Sequence, residues 1–168
     1  MGLGWKVIVP CLVLHVGASS ALAQKAVYLV RHAEKTGDPA DPPLSPSGVE
    51  RSKALARLLK NADIKAIYVS DTRRTQETAR PLAKSRGLSP VVVPMGDPGK
   101  TFDKIRADHP KDVVLVVGHT NTIGNLIQKW ETTAVVTIAE TEFDKVFVVV
   151  PNGTAKASWS RFRYSAGD

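Results

Sequence analysis

Five consecutive apolar residues, 113–117, run directly into Gly118 and His119. A strand that is apolar at every position is buried on both faces, as happens in parallel sheets that helices cover on both sides. The segment that follows has the spacing of an amphipathic helix, with apolar side chains at Ile123, Leu126, Ile127 and Trp130. A buried strand followed by a core-facing helix is typical of α/β proteins.

Further strand and helix patterns alternate along the chain. Strands are predicted at residues 26–30, 64–69 and 91–93, an edge strand at 135–138, and a terminal hairpin of residues 147–150 and 158–164 around a turn at 151–154. Helices are predicted at residues 71–84, interrupted or kinked at Pro81, and at 101–108 with Phe102 and Ile105 facing inwards.

The first predicted helix has a recognisable start after a loop at residues 36–43. Ser45 is suited to cap this helix and Pro46 to occupy its first position, while Ser47 and Glu50 have the spacing of a capping box. Its predicted core-facing side chains are Val49, Leu55, Leu58, Leu59 and Ala62. Together these patterns predict a single-domain, three-layer α/β sandwich whose mostly parallel sheet has helices on both faces.

The first 23 residues are predicted to be a secretory signal peptide rather than part of the fold. They contain one cation, Lys6, an apolar run at residues 7–16 and the small-residue ending Ala21-Leu22-Ala23. An N-terminal anchor helix is the alternative, but Pro10 breaks the run, which is shorter than the roughly 20 residues that a span needs. We therefore expect a domain at residues 24–168, secreted or periplasmic, with no stable membrane anchor.

The remaining domain contains no cysteine and is basic. Cys11 is the only cysteine of the chain, so disulfide scaffolds and thiol catalysis are excluded after cleavage. Without Lys6 the chain has 22 basic and 16 acidic residues, a net charge of +6, which favours anionic partners. No dense basic run interleaved with aromatic residues is present, so we expect no nucleic-acid partner.

Residues suited to phosphate stand where the predicted strands end. Arg31 and His32 follow the first strand, Ser70 follows the second, and Gly118 and His119 follow the run at 113–117. Ligands of such sheets bind beyond the carboxyl ends of the strands. The sequence therefore predicts a pocket that contains two imidazoles.

Arginine and histidine together suit phosphoryl transfer. Arg31 and the Arg73-Arg74 pair offer planar, permanently charged donors for phosphate oxygens. A neutral imidazole is a competent nucleophile near pH 7, and a second one can stabilise charge on the transferring group. The helix start after His119 adds backbone N–H groups, and the scheme needs neither a metal nor another cofactor.

These motifs resemble those of the histidine phosphatase superfamily, the phosphoglycerate-mutase-like group. Residues 29–34 resemble its Arg-His-Gly signature, with Ala33 in place of Gly, and residues 43–50 resemble its Leu-Thr-x-x-Gly segment. Residues 70–79 resemble its Ser-x-x-x-Arg-Ala-x-x-Thr-Ala segment, and residues 117–119 resemble its second-histidine motif. The resemblance covers nearly all of the chain after residue 23.

The resemblance implies a role for each matching residue. His32 would be the nucleophile that becomes phosphohistidine, and water would then hydrolyse that intermediate. Arg31, Arg74 rather than Arg73, and His119 would bind the phosphoryl group and stabilise its transition state.

The proton donor for the leaving group is not evident from the motifs. In one branch of the family a carboxylic acid follows the arginine segment, and in another it directly follows the second histidine, where this chain has Thr120. Asp97 and Asp103 are available for the first arrangement, and Glu34 lies beside the nucleophile but could equally pair with Lys35. A site without a strong acid handles good leaving groups best, such as aryl phosphates or phosphoramidates.

We therefore expect an exported phosphatase that hydrolyses a small phosphate monoester or phosphoramidate through His32. A mutase is not expected, because long substrate-capping insertions are missing, and the compact size resembles the small phosphohistidine phosphatase branch. The alternative is a non-catalytic phosphate- or anion-binding domain of the same fold, for which the missing acid is the reason.

Overall fold

The computed structural model describes residues 24–37, 40–94, 96–152 and 156–167. The predicted signal peptide, residues 1–23, lies outside the described residues, as do residues 153 and 154 of the predicted hairpin turn. Within the part of the chain that the structure describes, no helix is both long and apolar enough to cross a membrane.

Strands and helices alternate until the chain ends in a hairpin. The elements are β1 (Ala26–Arg31), α1 (Pro46–Leu58), β2 (Ile64–Ser70), α2 (Arg73–Arg86), β3 (Val91–Val93), α3 (Pro98–Asp108), β4 (Val113–Gly118), α4 (Thr120–Trp130), β5 (Lys145–Pro151) and β6 (Ala157–Arg163). They form one six-stranded sheet in the order β3-β2-β4-β1-β5-β6. Strands β3, β2, β4 and β1 are parallel, and β5 and β6 add antiparallel strands beside β1. The predicted α/β sandwich is confirmed.

Two apolar clusters lie on opposite faces of this sheet. On one face, Val114 and Val116 of β4 pack with the apolar stripe of α4 and with Ile105 of α3. On the other face, Leu115 and Val117 pack with side chains of α1 and α2. All six residues of β4 are buried, as the unbroken apolar run predicted, and each large side chain buried there contributes about 1.5–3 kcal/mol.

The predicted core-facing stripe of α1 is partly wrong. Leu55 and Leu59 are buried and Ala62 is half-buried, but Val49 and Leu58 are 37% and 42% exposed. The helix is rotated away from the face that its largest apolar residues suggested.

A close backbone approach explains this rotation. The buried face of α1 begins with Gly48 and Ser52, and a Cβ atom at Gly48 would lie 2.1 Å from the carbonyl oxygen of Glu34. Ser45 caps the helix as predicted, since its side chain accepts a hydrogen bond from the Gly48 N–H. The predicted capping box does not form, because Glu50 lies inside the helix and pairs with a lysine one turn on.

Three further expectations need correction. Helix α2 is not interrupted at Pro81, because the burial of Leu82 and its neighbours stabilises the helix across the missing hydrogen bond. Residues 135–138 form no strand: Ile138 reaches the core, Val135 is 82% exposed, and β3 and β6 occupy the edges of the sheet. Helix α3 begins three residues earlier than predicted, because Asp97 caps it.

Candidate active site

The two histidines meet because their strands are neighbours. Arg31 at the end of β1 is in register with Gly118 at the end of β4, and the His32 N–H donates to the Gly118 carbonyl at 2.9 Å. The two imidazole rings consequently lie with centroids 5.3 Å apart at an interplanar angle of 61°. Residues 87 positions apart in the chain thus share one pocket at the carboxyl edge of the parallel strands.

His32 is buried and oriented by its own backbone. Its Nδ1 lies 2.8 Å from the carbonyl oxygen of Ala33, and because a carbonyl only accepts, Nδ1 carries the proton and Nε2 carries the lone pair. Burial, reinforced by the charges of Arg31 and Arg74, lowers the pKa of His32 to about 4. The ring is therefore neutral at pH 7, the state that a nucleophile requires.

His119 is held by two side chains from β2 and α2. Its Nε2 lies 2.9 Å from the Ser70 hydroxyl, and its Nδ1 lies 3.5 Å from a guanidinium nitrogen of Arg74. Since a guanidinium only donates, Nδ1 accepts, and Nε2–H of the neutral ring donates to Ser70. Burial, together with the neighbouring His32 and Arg74, lowers the pKa of His119 to about 4.

The structure separates the two adjacent arginines of α2. Arg74 has a side chain that is only 15% exposed, and it enters the pocket. Arg73 is 58% exposed, pairs with Glu77 and lines a separate groove of about 610 Å³ along α2, which contains neither histidine.

Arg31 is fixed by the segment between α4 and β5. Its Nη1 donates to the carbonyl oxygens of Ala139, Glu140 and Glu142 at 3.0, 2.8 and 3.3 Å, and its Nη2 lies 2.5 Å from the Glu140 carboxylate. The guanidinium also lies 4.3 Å from the ring centroid of Phe143, in cation–π geometry. Residues 139–143 therefore hold one of the cations of the pocket, and Glu140 from this segment lines the cavity itself.

Helix α2 anchors the backbone that follows His32. The Ala33 N–H donates to the Thr78 hydroxyl at 2.9 Å, and that hydroxyl donates to the carbonyl of Arg74 at 2.7 Å. The Leu44 N–H donates to the Glu77 carboxylate at 2.8 Å. The loop after β1 is thus tied to the same helix that supplies Arg74.

These groups surround a cavity of about 430 Å³ that is mostly cationic. Its described lining consists of Arg31, His32, Lys35, Ala40, Pro42, Arg74, His119, Thr120, Asn121 and Glu140. Three side chains of this lining are permanently positive near neutral pH and one is acidic, so the cavity suits an anion. No group of three or more histidine, cysteine, aspartate or glutamate side chains that could hold a metal ion occurs among the described residues.

None of the three acid candidates from the sequence lines this cavity. Asp97 caps α3, and hydrogen bonds from Lys100 lower its pKa. Asp103 is exposed on α3, and Glu34 binds Arg51 through contacts of 2.7–2.9 Å rather than the neighbouring lysine. The carboxylate that does line the cavity is Glu140.

Sequence reasoning did not find Glu140 or Phe143. Both lie in an irregular segment without a motif, and Glu140 is 109 positions from the arginine that it contacts. The segment carries one indirect signal, a cluster of charged residues between a strong helix pattern and a strand pattern, but that signal does not specify a site.

Comparison with protein families confirms the predicted resemblance for the first three motifs, whereas the motif at residues 117–119 lies outside the matched range. Residues 27–95 match the model of the histidine phosphatase superfamily (branch 1). A curated relative, "Probable phosphoglycerate mutase GpmB" of Yersinia pestis (strain Pestoides F), is 37% identical over 75 residues, which are 40% of this chain and 35% of that protein. The chain therefore spans about a third of the length of the curated relatives it matches.

Solved structures share the fold over most of the chain. The structure of the protein histidine phosphatase SixA complexed with tungstate has a TM-score of 0.68 at 20% identity and covers 84% of this chain and 97% of that one. The α-ribazole phosphatase from Shigella flexneri has a TM-score of 0.66 at 16% identity and covers 84% of this chain and 96% of that one. At these identities the likeness establishes the fold.

Proposed function

We propose that this chain is a member of the histidine phosphatase superfamily and an exported phosphatase, which hydrolyses a phosphate monoester or phosphoramidate through a covalent phosphohistidine on His32. The observation that carries the proposal is the neutral His32 ring, whose Nδ1–H is bound to the Ala33 carbonyl and whose neighbours are two guanidiniums and a second imidazole. The family match at residues 27–95 supports the same activity.

The first step is attack of His32 on phosphorus. The Nε2–P bond forms, the bond from phosphorus to the leaving oxygen or nitrogen breaks, and the electron pair stays with the leaving atom. The ring acquires positive charge, and its Nδ1–H strengthens the hydrogen bond to Ala33 that is already present at 2.8 Å. The nucleophile therefore needs no rearrangement as the phosphohistidine forms.

The cations of the pocket stabilise the transferring group. Arg74 and Nη2 of Arg31 can donate hydrogen bonds to the equatorial oxygens of the phosphoryl group as negative charge spreads over them. His119 lies beside the transferring group, and a proton on its Nδ1 would add a third donor while Ser70 keeps the ring oriented. Water then attacks phosphorus: its oxygen forms a new O–P bond, the Nε2–P bond breaks, Nε2 regains its lone pair, and inorganic phosphate leaves with the protons of the water.

The cavity favours small substrates. A volume of about 430 Å³ accommodates a phosphate group with a compact substituent. Export to the periplasm or the outside rests on the sequence of residues 1–23 alone, where a cation, an apolar run and a small-residue ending follow each other.

Replacement of the nucleophile tests the activity. His32→Ala should abolish turnover of an aryl phosphate and should prevent formation of an acid-labile phosphoenzyme, whereas chelation with EDTA should leave wild-type activity intact. Full activity of the variant would refute the mechanism, and loss with EDTA that a divalent metal restores would indicate a metallohydrolase. Phosphate or vanadate binding without hydrolysis across a varied phosphate panel would instead favour the non-catalytic anion-binding domain.

A further inference from the structure

The described lining of the cavity contains one acidic residue, Glu140. Its side chain is 79% exposed, whereas His32 is buried, so Glu140 lies towards the mouth of the cavity. In-line attack by His32 from the floor places the leaving oxygen on the opposite side of phosphorus, towards the mouth. We infer that Glu140 is the acid that protonates the leaving group, an inference that rests on the proposed phosphatase function.

The contacts of Arg31 explain how Glu140 can fill this role. Its carboxylate binds Nη2 of Arg31, whereas its backbone carbonyl binds Nη1 at 2.8 Å. A substrate phosphate competes for Nη2, because Nη1 is already bound to three carbonyl oxygens. The incoming phosphate therefore displaces the carboxylate from Arg31, while the backbone of the same residue stays pinned beside the guanidinium.

The surrounding segment keeps the displaced carboxylate near the phosphate. Glu142 anchors the segment by accepting hydrogen bonds from the Ala139 N–H at 2.8 Å, from Arg163 at 2.6 Å and from Lys145. Phe143 packs against Arg31 and lies 6.0 Å from the His32 ring. These contacts fix the backbone of the segment, so a rotation about the side-chain bonds of Glu140 leaves its carboxyl group near the cavity.

Displacement from Arg31 also places the carboxyl group where it can act. In this structure the Glu140 carboxylate is bound to the guanidinium of Arg31. Once a phosphate replaces it on Nη2, the carboxyl group lies beside the phosphate and stays open to solvent, the source of the proton that it donates.

The proton balance of the reaction closes with Glu140 as donor. When the P–O bond breaks, the proton of the Glu140 carboxyl group passes to the leaving oxygen, and the products are an alcohol, a carboxylate and phosphohistidine. In the second step the carboxylate accepts a proton from the water that attacks phosphorus, the Nε2–P bond breaks, and Glu140 returns to its protonated form.

A comparison of leaving groups tests the inference. Glu140→Gln keeps a hydrogen-bonding side chain but cannot donate an acidic proton, so kcat/KM for phenyl phosphate should fall about 100-fold or more. For 4-nitrophenyl phosphate, whose leaving group needs no proton, kcat/KM should change by less than about threefold. Glu50→Gln, an exposed residue that pairs with Lys53 on α1, is the matched control and should behave as wild type.

Each result separates this inference from the proposed function. Equal losses of kcat/KM on both esters, or no loss on phenyl phosphate, would refute Glu140 as the acid while leaving the phosphatase activity established by the wild type. A wild-type chain that hydrolyses neither ester and forms no phosphoenzyme would refute the proposed function, and the acid with it. For Glu140→Gln we expect a selective loss of kcat/KM on phenyl phosphate. We also expect tighter inhibition by inorganic phosphate, because the carboxylate that competes for Arg31 has been removed.

Discussion

Because the folded chain keeps His32 neutral, its free energy of unfolding should decrease measurably at acid pH. The pKa of His32 is about 4 in the folded chain and 6.5 is its ordinary value, so the unfolded chain binds a proton at this residue before the folded chain does. The free energy of unfolding must therefore fall as the pH is lowered from 6.5 towards 4, and it is unaffected by this group above pH 7.

The magnitude follows from these two values. Lowering the pH from 7.5 to 4.5 costs about 2.5 kcal/mol for one such histidine. Solvent that reaches the open cavity screens part of the effect, which leaves about 1–2 kcal/mol as the expected loss. His32→Asn removes the titration but keeps a donor near the Nδ1 position for the Ala33 carbonyl.

Urea denaturation at both pH values measures the difference. Wild type should lose about 1–2 kcal/mol more than His32→Asn between pH 7.5 and 4.5, since carboxylates elsewhere contribute equally to both proteins. NMR titration of the ring carbon provides an independent pKa. Equal losses for the two proteins, or a ring that titrates near 6.5, would refute the argument that burial and the two arginines keep His32 neutral.

Two further predictions concern the supports of the site. Gly48→Ala places a Cβ atom 2.1 Å from the Glu34 carbonyl oxygen and should reduce the free energy of unfolding, measured by urea denaturation, by about 1–3 kcal/mol. The control Gly99→Ala, whose Cβ meets nothing closer than 3.4 Å, should be neutral or slightly stabilising. Equal effects of the two substitutions would contradict the close approach at Gly48. Glu142→Gln should loosen the segment that holds Arg31 and weaken vanadate inhibition at least threefold. Glu131→Gln, at a half-buried residue that binds Thr133 and lies outside the cavity lining, should leave inhibition unchanged. Unchanged inhibition in Glu142→Gln would show that the segment does not depend on this anchor.

The positions of the buried strands were predictable because a strand that is buried on both faces is apolar at consecutive positions. The unbroken apolar run before Gly118 predicted a central strand, and the spacing of Ile123, Leu126, Ile127 and Trp130 predicted the buried face of α4. The edge strand predicted at residues 135–138 is absent from the structure. An apolar segment that packs irregularly against a core has the same composition as an edge strand, so the pattern does not distinguish the two.

The face of α1 could not be predicted from hydrophobicity. The large apolar side chains of Val49 and Leu58 predicted that their face of α1 is buried, but both are partly exposed. The close approach of the α1 backbone to the backbone of Glu34 places a different face against the sheet. Gly48 fits against Glu34 only because it lacks a Cβ atom. Sequence periodicity records which residues are apolar and does not record how closely another segment approaches.

By itself the sequence determined the fold class and the residues that meet at the strand ends, because strands are consecutive patterns and their carboxyl ends lie at one edge of a parallel sheet. Only the tertiary structure decided which tautomer of His32 is present and which carboxylate lines the cavity beside the two histidines. Both depend on contacts between distant segments, as between Arg31 and Glu140, and no local pattern records the partner of a side chain across 109 positions.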